Sequence, residues 1–366
     1  MDNMKIGVIA RADHRGIGIQ SYEFWRNMKA DKALVVIMGQ DLTNGRELTP
    51  YAQDPSRFNQ RWVRTVTWNS PEGLDHNIVR DFLDGLDIVY CIETPYDQHF
   101  FTLCRMAGVT SVLHANPEFY RYTSEPDLVR PDIVWLPTPW LADRIPEATV
   151  MPFPVNRDHI PFRRRGLDPN GITFLHIVGH RTVRDRNGTQ TIYRTLRYIR
   201  RTPLNIIIRS QSSLPSLRTP YVNARVEVAD VADNADLYAE GDILLLPRKW
   251  GGLCLPQQEA LSAGIPTLMT NCSPQSSFLP SDMLLPTRQT QQLRMQCGMV
   301  PVYDAHPRQL VGVIERLALD PSRVPAMSDV ADSLASSISW DALRPVYFRA
   351  FTDALEGASR PLKPPL

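Results

Sequence analysis

Short apolar, β-branched runs alternate with stretches of helical periodicity from one end of the chain to the other. In the first half, Lys5–Ala10, Ala33–Met38, Val63–Trp68, Ile88–Ile92, Ser111–His114 and Ile133–Pro137 predict strands. In the second half, Ile172–Val178, Asn205–Ile208, Arg225–Val228, Ile243–Pro247 and Pro266–Thr270 do the same. Strands that alternate with helical segments build parallel sheets covered on both faces. In such sheets a ligand sits outside the carboxyl ends of the strands. Further on, Leu310, Val313, Ile314 and Leu317 recur at helical spacing, as do Trp340, Leu343, Tyr347 and Phe351. Ser339 is placed to cap the second of these helices.

The pattern breaks in the middle. Met151-Pro152-Phe153-Pro154-Val155, then Pro161, Arg163-Arg164-Arg165 and Asp168-Pro169-Asn170-Gly171, have the composition of a linker. The expected division is a first α/β domain over 1–152, a linker over 153–170, a second α/β domain over 171–337 and a closing helix over 338–357. A length of 366 residues suits two domains of ordinary size. Hydrophobic residues at 43% and charged residues at 22% fit a soluble chain with real cores. No apolar run approaches the roughly 18 residues that a membrane span needs. The start of the chain lacks a signal-peptide pattern, so a cytoplasmic location is expected. Cys91, Cys104, Cys254, Cys272 and Cys297 are scattered and form no CxxC pair, so they read as buried or half-buried thiols.

The net charge is +1, but its distribution is uneven. Residues 1–150 carry 15 basic and 20 acidic side chains; residues 151–225 carry 14 arginines and three acids, Asp158, Asp168 and Asp185. That surplus suits a polyanion, either a diphosphate or a nucleic-acid backbone. Arg194, Arg197, Arg200 and Arg201, however, are spaced like the solvated outside of a helix.

The segment 244–266 carries the most chemistry. A buried strand ends at Pro247, and Gly251-Gly252 follow in a loop where no Cβ blocks a ligand's approach to the backbone. Pro256 suits the first turn of a helix. Free amides and the positive dipole end at that helix start favour an anion. Glu259, one turn further in, can accept two hydrogen bonds from a vicinal diol such as a ribose. The segment resembles the signature of retaining GT-B glycosyltransferases of the large bacterial family-four-like group, which reads Glu-Gly-Phe-Gly-Leu-Pro-x-x-Glu-Ala-x-Ala-x-Gly-x-Pro. It matches at Gly252, Leu255, Pro256, Glu259, Ala260, Gly264 and Pro266, and departs at Gly251, which stands where the pattern has its first glutamate. In the family that glutamate helps to hold the donor sugar. The Gly-Gly-Leu-Cys-Leu-Pro variant is similar to phage and actinobacterial members.

The resemblance implies two Rossmann-like domains with parallel sheets facing across a cleft, and a C-terminal helix crossing back to the first domain. It implies a nucleotide-diphosphate sugar as co-substrate, UDP-sugar by family frequency, with no further cofactor and no metal. The donor would be held by Gly16, Gly18, Gly179, Arg184, Gly251, Gly252, Leu253, Cys254, Leu255 and Glu259. In 176–189, Arg186-Asn187-Gly188 resembles the family's Lys-Asn-Gly, whose cation clamps the diphosphate, and Arg181 or Arg184 would supply the second cation. Arg186, Arg181, His114 and Glu259 are thus the expected catalytic set, with His114 on a donor-sugar hydroxyl. His14, Arg15, Glu93, Tyr96 and Asn116 are expected on the acceptor side. No D-x-D pattern, metal-spaced Cys/His cluster or nucleophilic triad is readable. Two alternatives stand beside this reading: a DNA-modifying glycosyltransferase acting on a hydroxymethylated base, and a non-catalytic sugar-nucleotide binder. The acceptor is open between protein, glycan and modified DNA.

Overall fold

The apolar runs pair into two separate sheets. The computed structural model describes residues 4–49, 51–59, 62–166, 168, 171–179, 185–229, 231 and 233–357. It falls into two units. The first comprises the chain up to Phe153, Met295–Gly298 and the stretch from Leu343 on; the second comprises Pro154–Arg294 and Met299–Ala342.

In the first unit the strands are β1 (Ile6–Arg11), β2 (Lys32–Asp41), β3 (Arg46–Glu47), β4 (Trp62–Ser70), β5 (Ile88–Ile92), β6 (Thr110–His114), β7 (Ile133–Leu136) and β8 (Ala148–Val150). They run in the order β3-β2-β1-β5-β6-β7-β8, with β4 also on β2, and only the short β3 is antiparallel. The helices α1 (Gly16–Met28), α2 (His76–Leu83) and α3 (Phe100–Ala107) connect them. The central strand β5 is Ile-Val-Tyr-Cys-Ile and buried at every position, which is why it reads as a continuous apolar run rather than an alternating one.

The second unit repeats the plan. Strands β9 (Thr173–Gly179), β10 (Leu204–Ser210), β11 (Val222–Val228), β12 (Ile243–Leu246), β13 (Thr267–Thr270) and β14 (Leu284–Leu285) form an all-parallel sheet in the order β11-β10-β9-β12-β13-β14. The direction of winding reverses between β9 and β12, the topological switch point of a doubly wound sheet. A hairpin, β15 (Thr287–Met295) with β16 (Gly298–Ala305), stands apart from the sheet. Helices α4 (Thr189–Leu196), α5 (Leu255–Ser262), α6 (Pro307–Leu319) and α7 (Val324–Ser337) belong to this unit. The closing helix α8 (Trp340–Leu355) begins in it and continues in the first unit. Ser339 Oγ accepts from the Ala342 amide at 3.2 Å, as its capping position predicts. Trp340, Leu343, Tyr347 and Phe351 are all buried, and Phe351 stacks on Trp135.

One stretch departs from its expected character. Residues 154–166, read as linker from their prolines and arginines, are not a free tether. Val155 and Ile160 lie in the core of the second unit. Arg165 is buried, and its guanidinium donates to the carbonyls of Tyr238 (2.8 Å) and Ala263 (3.1 Å). Burial lowers its pKa to about 10. Arg165 looks like linker charge in sequence because its partners are backbone carbonyls far along the chain, while Arg164 is exposed and pairs with Asp329. Arg194, Arg197, Arg200 and Arg201 are exposed, but α4 ends at Leu196 and only Arg194 lies on a helix, so the expected helix face is not formed. All five cysteines are free and buried. No helix among the described residues is long and apolar enough to cross a membrane.

Candidate functional site

In the second unit the strands at the switch point, β9 and β12, are neighbours. Following their carboxyl ends, the described residues 185–188 and 247–254 belong to the two segments that the sequence singles out. Several bonds join them. The Lys249 amide donates to the Arg186 carbonyl at 2.8 Å. Arg248 Nη1 donates to Asn187 Oδ1 at 3.0 Å. Lys249 Nζ lies 3.2 Å from Asp185 and 2.7 Å from Asp304. Arg186 Nε donates to the Trp250 carbonyl at 3.4 Å, and its guanidinium stacks over the Trp250 ring at 4.5 Å. Both positions proposed for the other cation, Arg181 and Arg184, lie outside the described residues; Gly179 ends β9.

Helix α5 starts at Leu255, with Pro256 in its first turn and no side chain capping it. Gly251, Gly252, Leu253 and Cys254 precede it and are buried, and Leu255 is half-buried. In this first turn Pro256 has no N–H and the Gln257 and Gln258 amides donate to the Cys254 carbonyl, so what the start offers an anion is mainly the positive dipole end. Glu259 is buried one turn in. Its Oε2 accepts from the Tyr238 hydroxyl at 2.6 Å, and its Oε1 accepts from the Asn234 amide. Burial and then the Glu259 charge push the Tyr238 hydroxyl well above the usual phenol range, so it acts as a donor. The carboxylate is therefore fixed in orientation by two donors. Asn234 and Tyr238 sit on a single turn of 3₁₀ helix, Asn234–Tyr238, and nothing in their local sequence announces the contact.

Gly251 explains its own identity. It has φ +116°, a conformation that side chains rarely adopt. A Cβ there would collide with Arg186 Nη2 and lie 2.6 Å from Arg248 Nη2. Two guanidinium ends thus fill the space into which a side chain at 251 would project. Arg248 was not singled out in sequence; a cation at the end of the buried run Ile243–Leu246 was the available signal. A pocket of ≈ 230 Å³ opens beside Arg186, lined also by Asp185, Gln190, Tyr193, Arg194 and Arg197.

In the first unit the winding reverses between β1 and β5, and the other predicted residues gather at the strand ends there. Gly16 and Gly18 form the first turn of α1. A Cβ at Gly18 would collide with the Asp13 carbonyl, so its smallness serves the turn itself. Arg57 fastens that turn, donating through Nη2 to the carbonyls of Arg11 (3.2 Å), Asp13 (2.6 Å) and Gly18 (2.9 Å). His14 is exposed beside Arg57, and Arg15 stacks on Tyr51. Glu93 accepts from the Asn116 amide at 2.6 Å across the ends of β5 and β6, so these two predicted residues form one polar pair. Tyr96 is buried against Trp68, with its hydroxyl inside the protein. His114 is buried among Tyr90, Trp135, Phe153 and Tyr347, with Nδ1 2.5 Å from the Tyr90 hydroxyl. In this conformation its ring faces the aromatic core and not a solvent-exposed sugar position.

Burial lowers the pKa of His114 to about 3 and that of His176 to about 4. His176 Nδ1 donates to the Leu245 carbonyl at 2.8 Å, which leaves Nε2 to accept from the Thr189 hydroxyl at 3.0 Å. This neutral ring ties the start of α4 to β12. The unfolded chain takes up these protons below its ordinary histidine pKa of about 6.5, while the folded chain does not. Their contribution to stability is therefore complete above about pH 6.5 and is lost as pH falls toward about 4 for His176 and about 3 for His114. Each pH unit in that window is worth ~1.4 kcal/mol per ring. Urea unfolding followed between about pH 7 and about pH 4.5 should show the midpoint falling. In His176→Gln, which cannot take up a proton, the fall should be shallower; an unchanged slope would contradict the assignment.

No family model matches the chain, and no curated protein matches it. Solved structures match along nearly its whole length. HepE of Anabaena, in complex with UDP-glucose, has a TM-score of 0.64 at 12% identity, covering 96% of this chain and 100% of that one. Sucrose-phosphate synthase of Thermosynechococcus elongatus has a TM-score of 0.64 at 11% identity, covering 97% and 100%. A glycosyltransferase of Rickettsia africae has a TM-score of 0.63 at 8% identity, covering 97% and 100%. At these identities the likeness defines the fold, and the fold is GT-B, built of two Rossmann-like units.

Proposed function

We propose that this protein is a nucleotide-sugar-dependent glycosyltransferase whose donor, a UDP-sugar, lies in the second unit at the β9/β12 switch point. The observation that carries the reading is the alignment of three features there: the oriented Glu259 carboxylate, the uncapped start of α5, and Arg186 stacked on Trp250. A ribose diol suits Glu259, and a diphosphate suits the helix start and Arg186. The Anabaena protein of the same fold has been seen with UDP-glucose and with UDP, which supports this choice of ligand.

In the retaining, metal-independent reaction that the signature resemblance implies, the bond from the anomeric carbon to the diphosphate oxygen breaks. The acceptor oxygen bonds to the same face of the sugar, and the acceptor proton passes to the leaving diphosphate. Charge develops on that diphosphate, so a fixed guanidinium and backbone amides stabilise the transition state more than the ground state.

Calorimetric titration with UDP tests the site. The wild type should bind UDP, and Glu259→Ala should weaken binding by about tenfold or more, the worth of a hydrogen bond to a charged group. Equal affinity in the two proteins would sink the ribose assignment. Tight UDP binding with no turnover of any nucleotide sugar would favour a silent binder over an enzyme.

A further inference from the structure

The cation balance at Gly251 points past the diphosphate. Arg248 is buried at 5% exposure, and the partners of its guanidinium are neutral: Asn187 Oδ1 at 3.0 Å and the Leu253 carbonyl at 2.6 Å. Its Nε is buried with no acceptor among the described residues. The indole Nε1 of Trp250, also buried, has none either. Among the described residues no acid pairs with Arg248, and Asp185 and Asp304 both face Lys249. A buried charge without a counter-charge costs several kcal/mol, so a fold that keeps one has a use for an anion there.

Position then decides which anion. Under the proposed donor orientation the ribose sits at Glu259 and the diphosphate at the start of α5. Gly251 and Arg248 lie in the loop that precedes that start, and the donor group beyond the diphosphate is the sugar. The space a side chain at 251 would take is filled by two guanidinium ends. A neutral hexose offers them only hydroxyl oxygens. A carboxylate offers two charged acceptors in the geometry a guanidinium fork matches.

We propose that Arg248, seated with Arg186 against Gly251, makes the site select a donor whose sugar carries a carboxylate, a nucleoside-diphosphate hexuronate. The inference rests on the donor reading above and deepens it.

The test compares UDP, UDP-glucose and UDP-glucuronate, with UDP-galactose and UDP-galacturonate as a second pair, by calorimetry and donor hydrolysis on the full chain. The wild type should bind a hexuronate donor at least about tenfold more tightly than its neutral partner. Arg248→Gln should bring that ratio close to one, weakening the hexuronate donors more than it weakens UDP. Arg248→Lys, which keeps the charge without the fork, should keep part of the preference; thermal unfolding of both variants shows that they fold. UDP binding without any hexuronate preference would overturn this inference and leave the donor reading intact. Equal weakening of UDP and all four donors in Arg248→Gln would assign Arg248 to the diphosphate and overturn it likewise. Failure of UDP to bind at all would overturn both.

Discussion

Replacing Arg186 by alanine should lower donor turnover by about 100- to 1000-fold, the usual cost of removing one preorganised charge from a developing oxyanion. The guanidinium is held before any ligand arrives. It stacks on Trp250, its Nε reaches the Trp250 carbonyl, and its backbone carbonyl accepts from Lys249. Little reorganisation is left for the reaction step, which is what makes such a group effective. Arg186→Lys should recover only part of the loss, since an ammonium keeps the charge but cannot stack flat or bond in a fork. The loss should appear mainly in kcat, because the charge it stabilises develops on the leaving group. A change below about threefold in kcat would remove Arg186 from the proposed chemistry.

A side chain at Gly251 should abolish the proposed turnover while costing the fold little. The φ of +116° strains any other residue by about 1–3 kcal/mol, which the unfolding midpoint should register as a modest drop. The larger effect is on the two guanidiniums. Arg186 and Arg248 end in flexible chains, so a Cβ at 251 displaces them rather than unfolding the loop. Gly251→Ala should therefore lose at least about 100-fold in turnover, comparable to losing Arg186 itself. Gly251→Glu, which writes the signature's first glutamate back into the chain, should fare no better. Its carboxylate would pair with the displaced arginines instead of reaching a sugar. Restored or improved activity in Gly251→Glu would show that the arginines do not depend on this glycine.

The strand cores and the α5 segment were legible in sequence because their signals are local. Ile243–Leu246 is buried at every position and reads as an apolar run, and the glycines, Pro256 and Glu259 lie within a few residues of one another. The hairpin Thr287–Ala305 was not legible, since its first strand is mostly exposed and rich in glutamine and so carries no apolar alternation. Arg165, Arg57, Asn234 and Arg248 were hidden for another reason. Their partners are backbone carbonyls or side chains far along the chain, and composition records no such pairing. His114 and Tyr96 show the limit on the strand-end rule. Their places at the ends of β6 and β5 could be read, but the direction in which each side chain turns, into the core, could not.

A crystal structure of the full chain soaked with UDP tests the central claim most directly. The account predicts the ribose hydroxyls on Glu259, with Asn234 and Tyr238 still holding the carboxylate. It predicts the diphosphate between the start of α5 and Arg186, with its free end directed toward Gly251. A diphosphate bound away from α5, or a ribose that makes no contact with Glu259, would contradict it.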